Sequence, residues 1–275
     1  PKAILMCDPV FFKIIDCKNP FMEGQANHCD VELAQKQWQA LKLKLESRGR
    51  DIYVVPAAAE LEDMVFAANQ GLPGISASGE KYVVLANMVH ASRRREVPFY
   101  ANWFEAQGYK LERISPDAEH GPRFEGQGDA IWHPKKRLLW GAYGQRSEKS
   151  AYDSIAKLIG APVLLLQLVT ERFYHLDTAF CALDAETVMV YPPAFSPESL
   201  DLIKAVFKKV IEVSEFDANN FAANALVLGQ DVVLQTGSVE TCNVLRDAGF
   251  NPVAVETSEF MKSGGSVFCL KMMVY

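Results

Sequence analysis

Mostly polar or reactive residues recur along this chain beside short apolar runs. They are Asp8, Asp63, Glu125, His175, Ala225 and Cys269, spaced by roughly 50 residues. A period of that length belongs to stacked or radially arranged units, none of which buries its apolar face alone. In a ring of such units the strand ends converge on the centre. Residues far apart in sequence then meet in one site. No low-complexity linker interrupts the repeat, so residues 1–275 are read as a single domain.

Local patterns give the class. Helical periodicity covers 31–48, 97–107, 148–159, 197–211 and 239–248, and Gly49, Gly108, Gly160 and Gly249 stop four of the five. Ser196 is a plausible N-cap for the fourth. Between the helices lie short β-rich runs, among them 3–6, 51–55, 64–67, 82–86, 178–183 and 267–272. Strands, a helix, then more strands read as α/β.

Charge and composition exclude several functions. The net charge is -6, which leaves no basic footprint for nucleic acid. The run Arg93-Arg94-Arg95 is followed by Glu96 and reads as a solvated face. The longest apolar stretch, 161–169, contains Pro162 and Gln167 and has strand length, so no membrane partner is expected. The first residues lack a signal-peptide layout, so the cytoplasm is the expected compartment. Six cysteines contain no CxxC pair, and His28, His90, His120 and His133 show no ligand spacing. A metal reading would rest on His175, Asp177 and Cys269 alone. No metal or cofactor is expected, and nothing in the sequence excludes a homo-oligomer.

Four segments can carry chemistry. In Lys262-Ser263-Gly264-Gly265-Ser266-Val267-Phe268-Cys269-Leu270, two glycines permit close backbone approach ahead of a cysteine in an apolar strand. In Tyr174-His175-Leu176-Asp177, an imidazole and a carboxylate alternate on one face of an extended segment, as an acid/base pair requires. In Phe124-Glu125-Gly126-Gln127-Gly128-Asp129, two carboxylates flank a glycine-rich turn able to hold a cation or orient a histidine. In Glu62-Asp63-Met64-Val65-Phe66-Ala67-Ala68-Asn69, an amide ends an apolar strand. Taken singly, each also reads as ordinary structure: a buried thiol, a strand-edge pair, an acidic loop, a turn-forming amide.

Together, in this order, these segments resemble the guanidino-group-modifying superfamily, also called penteins. It includes arginine deiminases, dimethylarginine dimethylaminohydrolases, amidinotransferases and arginine dihydrolases. Asn19-Pro20-Phe21-Met22 resembles an element of a bacterial branch. The resemblance implies a five-bladed pseudosymmetric α/β propeller of ββαβ units, in accord with the period. It implies hydrolysis of a guanidino small molecule, arginine or a derivative, through a covalent thiouronium on Cys269. His175 would act as acid and base, with Glu125 orienting it. Asp177 and Asp129 would face the guanidinium, and Arg93, or Arg94 beside it, would clamp the substrate carboxylate. Deiminases carry an aspartate where Asn69 falls, whereas the arginine dihydrolase branch carries an asparagine. An amide can serve a cationic guanidinium and then a neutral ureido group, which a second hydrolysis needs. The stretch 71–79 looks longer and looser than the guanidine-binding loop of that family. The alternatives are a dimethylarginine-type hydrolase, an amidinotransferase, or a non-catalytic binding protein on the same ring. Asp177 argues against the first. The retained Cys269, His175 and Glu125 argue against the last.

Overall fold

The computed structural model describes residues 3–117 and 119–275. Five three-stranded sheets carry the repeat, each with one helix. The second consists of β3 (Gly71–Ile75), β4 (Lys81–Leu85), α2 (Val97–Ala106) and β5 (Lys110–Arg113). The third has β6 (Ala130–Trp132), β7 (Leu139–Tyr143), α3 (Ala151–Ile159) and β8 (Val163–Gln167). The fourth has β9 (Phe180–Ala182), β10 (Thr187–Val190), α4 (Pro197–Val206) and β11 (Lys209–Glu212). The fifth has β12 (Leu226–Leu228), β13 (Asp231–Gln235), α5 (Val239–Asp247) and β14 (Asn251–Val255). In each, the middle strand runs antiparallel to the first and parallel to the third, with the helix as the crossover a parallel pair needs.

The first blade closes the ring. β1 (Ala3–Cys7), α1 (Val31–Glu46) and β2 (Asp51–Val55) come from the start of the chain, and β15 (Met272–Val274) from its end. Leu5 faces Met272 in the antiparallel β1–β15 pairing. The apolar clusters follow the same circle. One joins Leu5, Val55 and Met272 to Val83, Leu85 and Tyr100, and the next joins Leu72 and Val84 to Leu139 and Tyr152. A third spans Trp140, Met189 and Val232, and a fourth returns from Val233 and Val253 to Ile4 and Trp38. Every blade shares its core with its neighbours, which makes this a five-bladed α/β propeller.

Helix ends follow from sequence. The Asp30 carboxylate accepts from Leu33 N and the Ser196 hydroxyl from Ser199 N, each satisfying an orphan donor. Apolar Ala34, Trp38, Leu41 and Leu45 form the buried face of α1.

Several sequence expectations are corrected at the centre of the ring. Residues 64–67 are not a strand; two 3₁₀ turns, Glu62–Val65 and Ala67–Gln70, occupy that segment. His175 is extended, but Asp177 lies in a helical turn, Leu176–Ala179. Cys269 is not in a strand either: 267–270 form a turn, and β15 starts at Met272. Each blade makes such a turn just before its first strand. A four-residue apolar run cannot show whether its period is 2 or 3.6. Conversely, 71–75 is a strand, buried except at Ile75, rather than a loose loop, and the predicted fourth helix ends at Val206, with 209–212 continuing as β11.

Candidate active site

The central turns bring Glu125, His175 and Cys269 from three blades into one buried cluster. His175 Nε2 lies 2.7 Å from Glu125 Oε2. The other Glu125 oxygen accepts from Val89 N at 3.0 Å. Arg146 Nη1 donates to Glu125 Oε2 at 3.3 Å, and its guanidinium lies 4.4 Å from the centre of the Tyr174 ring. Burial by itself would raise the Glu125 carboxyl. Arg146 and His175 outweigh it and hold the group well below the usual carboxylate range. Because a carboxylate only accepts, His175 Nε2 carries a proton and Nδ1 is the nitrogen open to exchange in the neutral ring.

Cys269 Sγ sits between two polar groups. It donates to Asp177 Oδ2 at 3.2 Å and receives Asn224 Nδ2 at 3.2 Å. Asn224 also fixes the turn: Oδ1 accepts from Phe268 N at 3.0 Å and Cys269 N at 3.3 Å, while Nδ2 reaches Asp177 O. Burial drives the thiol well above its ordinary value, and the Asp177 charge adds to this. Burial likewise raises Asp177 to about 6, against the pull of His175.

The glycines before Cys269 are needed for space. Gly264 has φ +84°, and a Cβ there would lie 2.7 Å from both Asn19 Oδ1 and Tyr174 Oη. A Cβ on Gly265 would lie 2.5 Å from the Phe66 ring. The Tyr174 hydroxyl donates to Gly264 O at 2.6 Å, tying the cysteine loop to the histidine segment.

The remaining expected residues divide. Asn69 lines the cleft with its oxygen turned to Arg93 Nη1 at 3.0 Å, which points its amide NH₂ the other way. Nδ2 is buried and without a partner among the described residues. Asp177 Oδ1 is likewise buried and unpartnered. Arg93 lines the cleft too, but Glu96, Asn69 and the carbonyls of Asp63 and Phe66 take most of its donors. Arg94 turns away to Met88 O and Val89 O. Asp129 is already engaged. Ser147 N, Ser147 Oγ and Leu176 N occupy its carboxylate, so it braces the turn that carries His175.

Sequence reasoning missed Arg146, Asn224, Tyr174 and Lys18. The step from His175 lands on Ala225, one residue past Asn224. Nothing in the sequence singled out the others. A larger cavity of about 810 Å³ is lined by residues such as Trp132, His133, Leu228 and Phe250. None of the expected site residues borders it.

Comparison with known proteins gives the family. The family model for N,N dimethylarginine dimethylhydrolase, eukaryotic, matches residues 15–275. The bifunctional arginine dihydrolase/ornithine cyclodeaminase ArgZ of Synechocystis sp. is 37% identical over 273 residues, 98% of this chain and 37% of its own length. The chain thus spans little more than a third of that relative. The N(G),N(G)-dimethylarginine dimethylaminohydrolase of Mycobacterium tuberculosis is 37% identical over 270 residues, 98% of this chain and 85% of its own. The crystal structure of the N-terminal domain of ArgZ, a cysteine-to-serine mutant bound to substrate, superposes with a TM-score of 0.92 at 36% identity, covering 98% of this chain and 97% of that one. By sequence and by fold, the chain belongs to the pentein superfamily, in the branch that joins the dimethylarginine dimethylaminohydrolase family to the arginine dihydrolases.

Proposed function

We propose that this protein hydrolyses arginine twice, through covalent intermediates on Cys269, to ornithine. One observation carries the reading: among the described residues, two buried atoms of opposite kind have no partner, one on the carboxylate that meets the thiol and one on an amide that lines the same cleft. Asp177 Oδ1 can only accept, and it suits the N–H edge of a guanidinium. Asn69 Nδ2 can only donate, so it has nothing to offer a guanidinium but suits the oxygen of a ureido group. The two atoms serve successive substrates.

In the first cycle the Cys269 thiolate adds to the guanidinium carbon, and the cationic substrate favours the ionised sulfur. His175 gives a proton to the departing nitrogen as the C–N bond breaks, leaving a thiouronium. His175 then takes a proton from water as the oxygen adds to that carbon, and the C–S bond breaks to release a ureido group. Glu125 and Arg146 keep His175 oriented. In the second cycle the thiolate adds to the ureido carbon, ammonia leaves, and water cleaves the S-carbamoyl group. One arginine and two waters give one ornithine, two ammonia and one carbon dioxide.

Arg146 and the remaining donor of Arg93 suit the substrate carboxylate. Residues 1–275 are taken as one catalytic ring. Its six unpaired cysteines suit a reducing compartment such as the cytoplasm. The family model and the mycobacterial relative favour a second reading, release of a methylated amine from an N-methylated arginine. Product analysis separates them. With arginine, ammonia and ornithine should appear in a ratio of about two to one, and citrulline as the final product would refute the double hydrolysis. Turnover only of methylated arginine would favour the second reading.

A further inference from the structure

We propose that Lys18 is a specificity-determining residue, a built-in competitor whose ammonium holds the subsite that an amino-acid substrate needs for its own. This rests on the guanidino-hydrolase reading and names which guanidino compounds the cleft resists.

The cleft that ends on Cys269 is lined by three cationic side chains, Lys18, Arg93 and Arg146. Among the described residues its wall holds one carboxylate, Asp63. An arginine whose guanidinium lies against Cys269 and Asp177 must place an ammonium and a carboxylate elsewhere in that cleft. The arginines answer the carboxylate. Asp63 is the carboxylate placed to answer the ammonium, and it is already engaged. Lys18 Nζ lies 2.9 Å from Asp63 Oδ2 and 3.2 Å from Glu62 Oε1, and it also pairs with Asp16. The Lys18 side chain is 5% exposed and the carboxylates of Glu62 and Asp63 are as deeply buried, so this pairing is shielded from water.

The cleft volume is about 20 Å³, room for a water and far from enough for a guanidino acid. Any guanidino acid therefore needs the cleft to widen, and one that carries an α-ammonium needs in addition the carboxylate that Lys18 holds. Asp16 is half exposed, and it can keep the ammonium paired as Lys18 swings outward. The backbone need not follow, because Arg146 Nη2 holds Lys18 O at 2.9 Å. A substrate with an α-ammonium must displace Lys18 from Asp63. A guanidino acid without one leaves the pair in place. If the displaced state is populated at about a tenth or less, apparent affinity for the amino acid falls about ten-fold or more.

The test compares arginine with 4-guanidinobutanoate, which lacks the α-ammonium, in the wild type, Lys18→Met and Lys18→Gln. Both substitutions should lower KM for arginine about ten-fold and leave kcat within about two-fold. KM for 4-guanidinobutanoate should stay unchanged or rise. Parallel changes for both compounds, or a raised KM for arginine in both variants, would overturn the proposal, since a structural role acts on both alike. The glutamine variant keeps the side-chain reach and guards against a packing defect in the methionine one. Should the wild type turn over neither compound, calorimetric binding to Cys269→Ala, with and without Lys18→Met, replaces the kinetics. Lys18-dependent selectivity there would sustain this inference while the hydrolase reading fell, and its absence would remove both.

Discussion

Replacing Asp177 by asparagine should make Cys269 more acidic and at the same time a poorer catalyst. The thiol donates to Asp177 Oδ2 at 3.2 Å in a fully buried setting. Ionising the sulfur there places two negative charges side by side. At an effective dielectric of about 20, unit charges about 4 Å apart interact by about 4 kcal/mol. That corresponds to roughly a thousand-fold in the acidity of the thiol. Asp177→Asn removes the repulsion, and Asn224 Nδ2 still donates to the sulfur. The assay is the rate of iodoacetamide alkylation against pH, with Cys269→Ala subtracting the other five cysteines. The variant should reach its half-maximal rate at a pH at least one unit below wild type. Its kcat/KM for arginine should fall by about ten- to a hundred-fold, as expected for losing one charged hydrogen bond to the substrate. An alkylation profile that stays put, or moves to higher pH, would refute the electrostatic account of this thiol.

Other consequences can be measured on the same protein. Lys271 is fully buried, with Nζ 3.0 Å from the Phe268 ring centre and 3.3 Å from Gln127 Oε1, and burial depresses it to about 7 from 10.5. Between those values the unfolded chain binds this proton and the folded one does not, so the penalty is large at pH 7 and fades as pH rises toward 10.5. Lys271→Met should therefore unfold at higher denaturant than wild type at pH 7, by a few kcal/mol, with the gap closing by pH 10; a constant gap would contradict this. Gly128→Ala should keep the fold but lose about a hundred-fold in kcat/KM, because its Cβ would lie 2.3 Å from Asn69 Nδ2 and 3.4 Å from the His175 ring. Full activity in that variant would show that neither side chain needs its present position. Asn224→Asp should slow alkylation of Cys269 at neutral pH, by setting a second negative charge where the amide now donates to the sulfur. An unchanged rate would remove Asn224 from the electrostatics of the thiol.

What could be read from the sequence was the period, and the residues that chemistry singles out. His175, Glu125 and Cys269 stand at the blade turns, where a recurrence of about 50 residues puts them. The local backbone there was illegible, because each turn is four residues long, too short to show a period. Residues 71–75 were illegible for a different reason: Gly-Leu-Pro-Gly-Ile has the composition of a loop. Among the described residues it forms an edge strand paired only with β4, so Pro73 lacks no partner, and Gly74 leaves room for the Tyr82 ring, which a Cβ would meet at 2.3 Å. The role of Asn224 was hidden because its meaning lies in what it touches across the ring. The amide sits in Phe-Ala-Ala-Asn-Ala, a segment with no chemical signature of its own. Asp129 misled in the opposite sense: a carboxylate with the right neighbours in sequence serves as a brace.

The antiparallel pairing of β1 with β15 has a consequence for how activity is acquired. Leu5 and Met272 stand side by side, and Cys269 is three residues upstream of that seam. Closing it joins the most distant parts of the chain, the kind of contact whose entropic cost is met last. Until then the histidine and its carboxylate can be assembled in their own blades while the sulfur has no fixed address. On the proposed function, an open ring would lack its nucleophile, and the onset of hydrolysis would report that the circle has been completed.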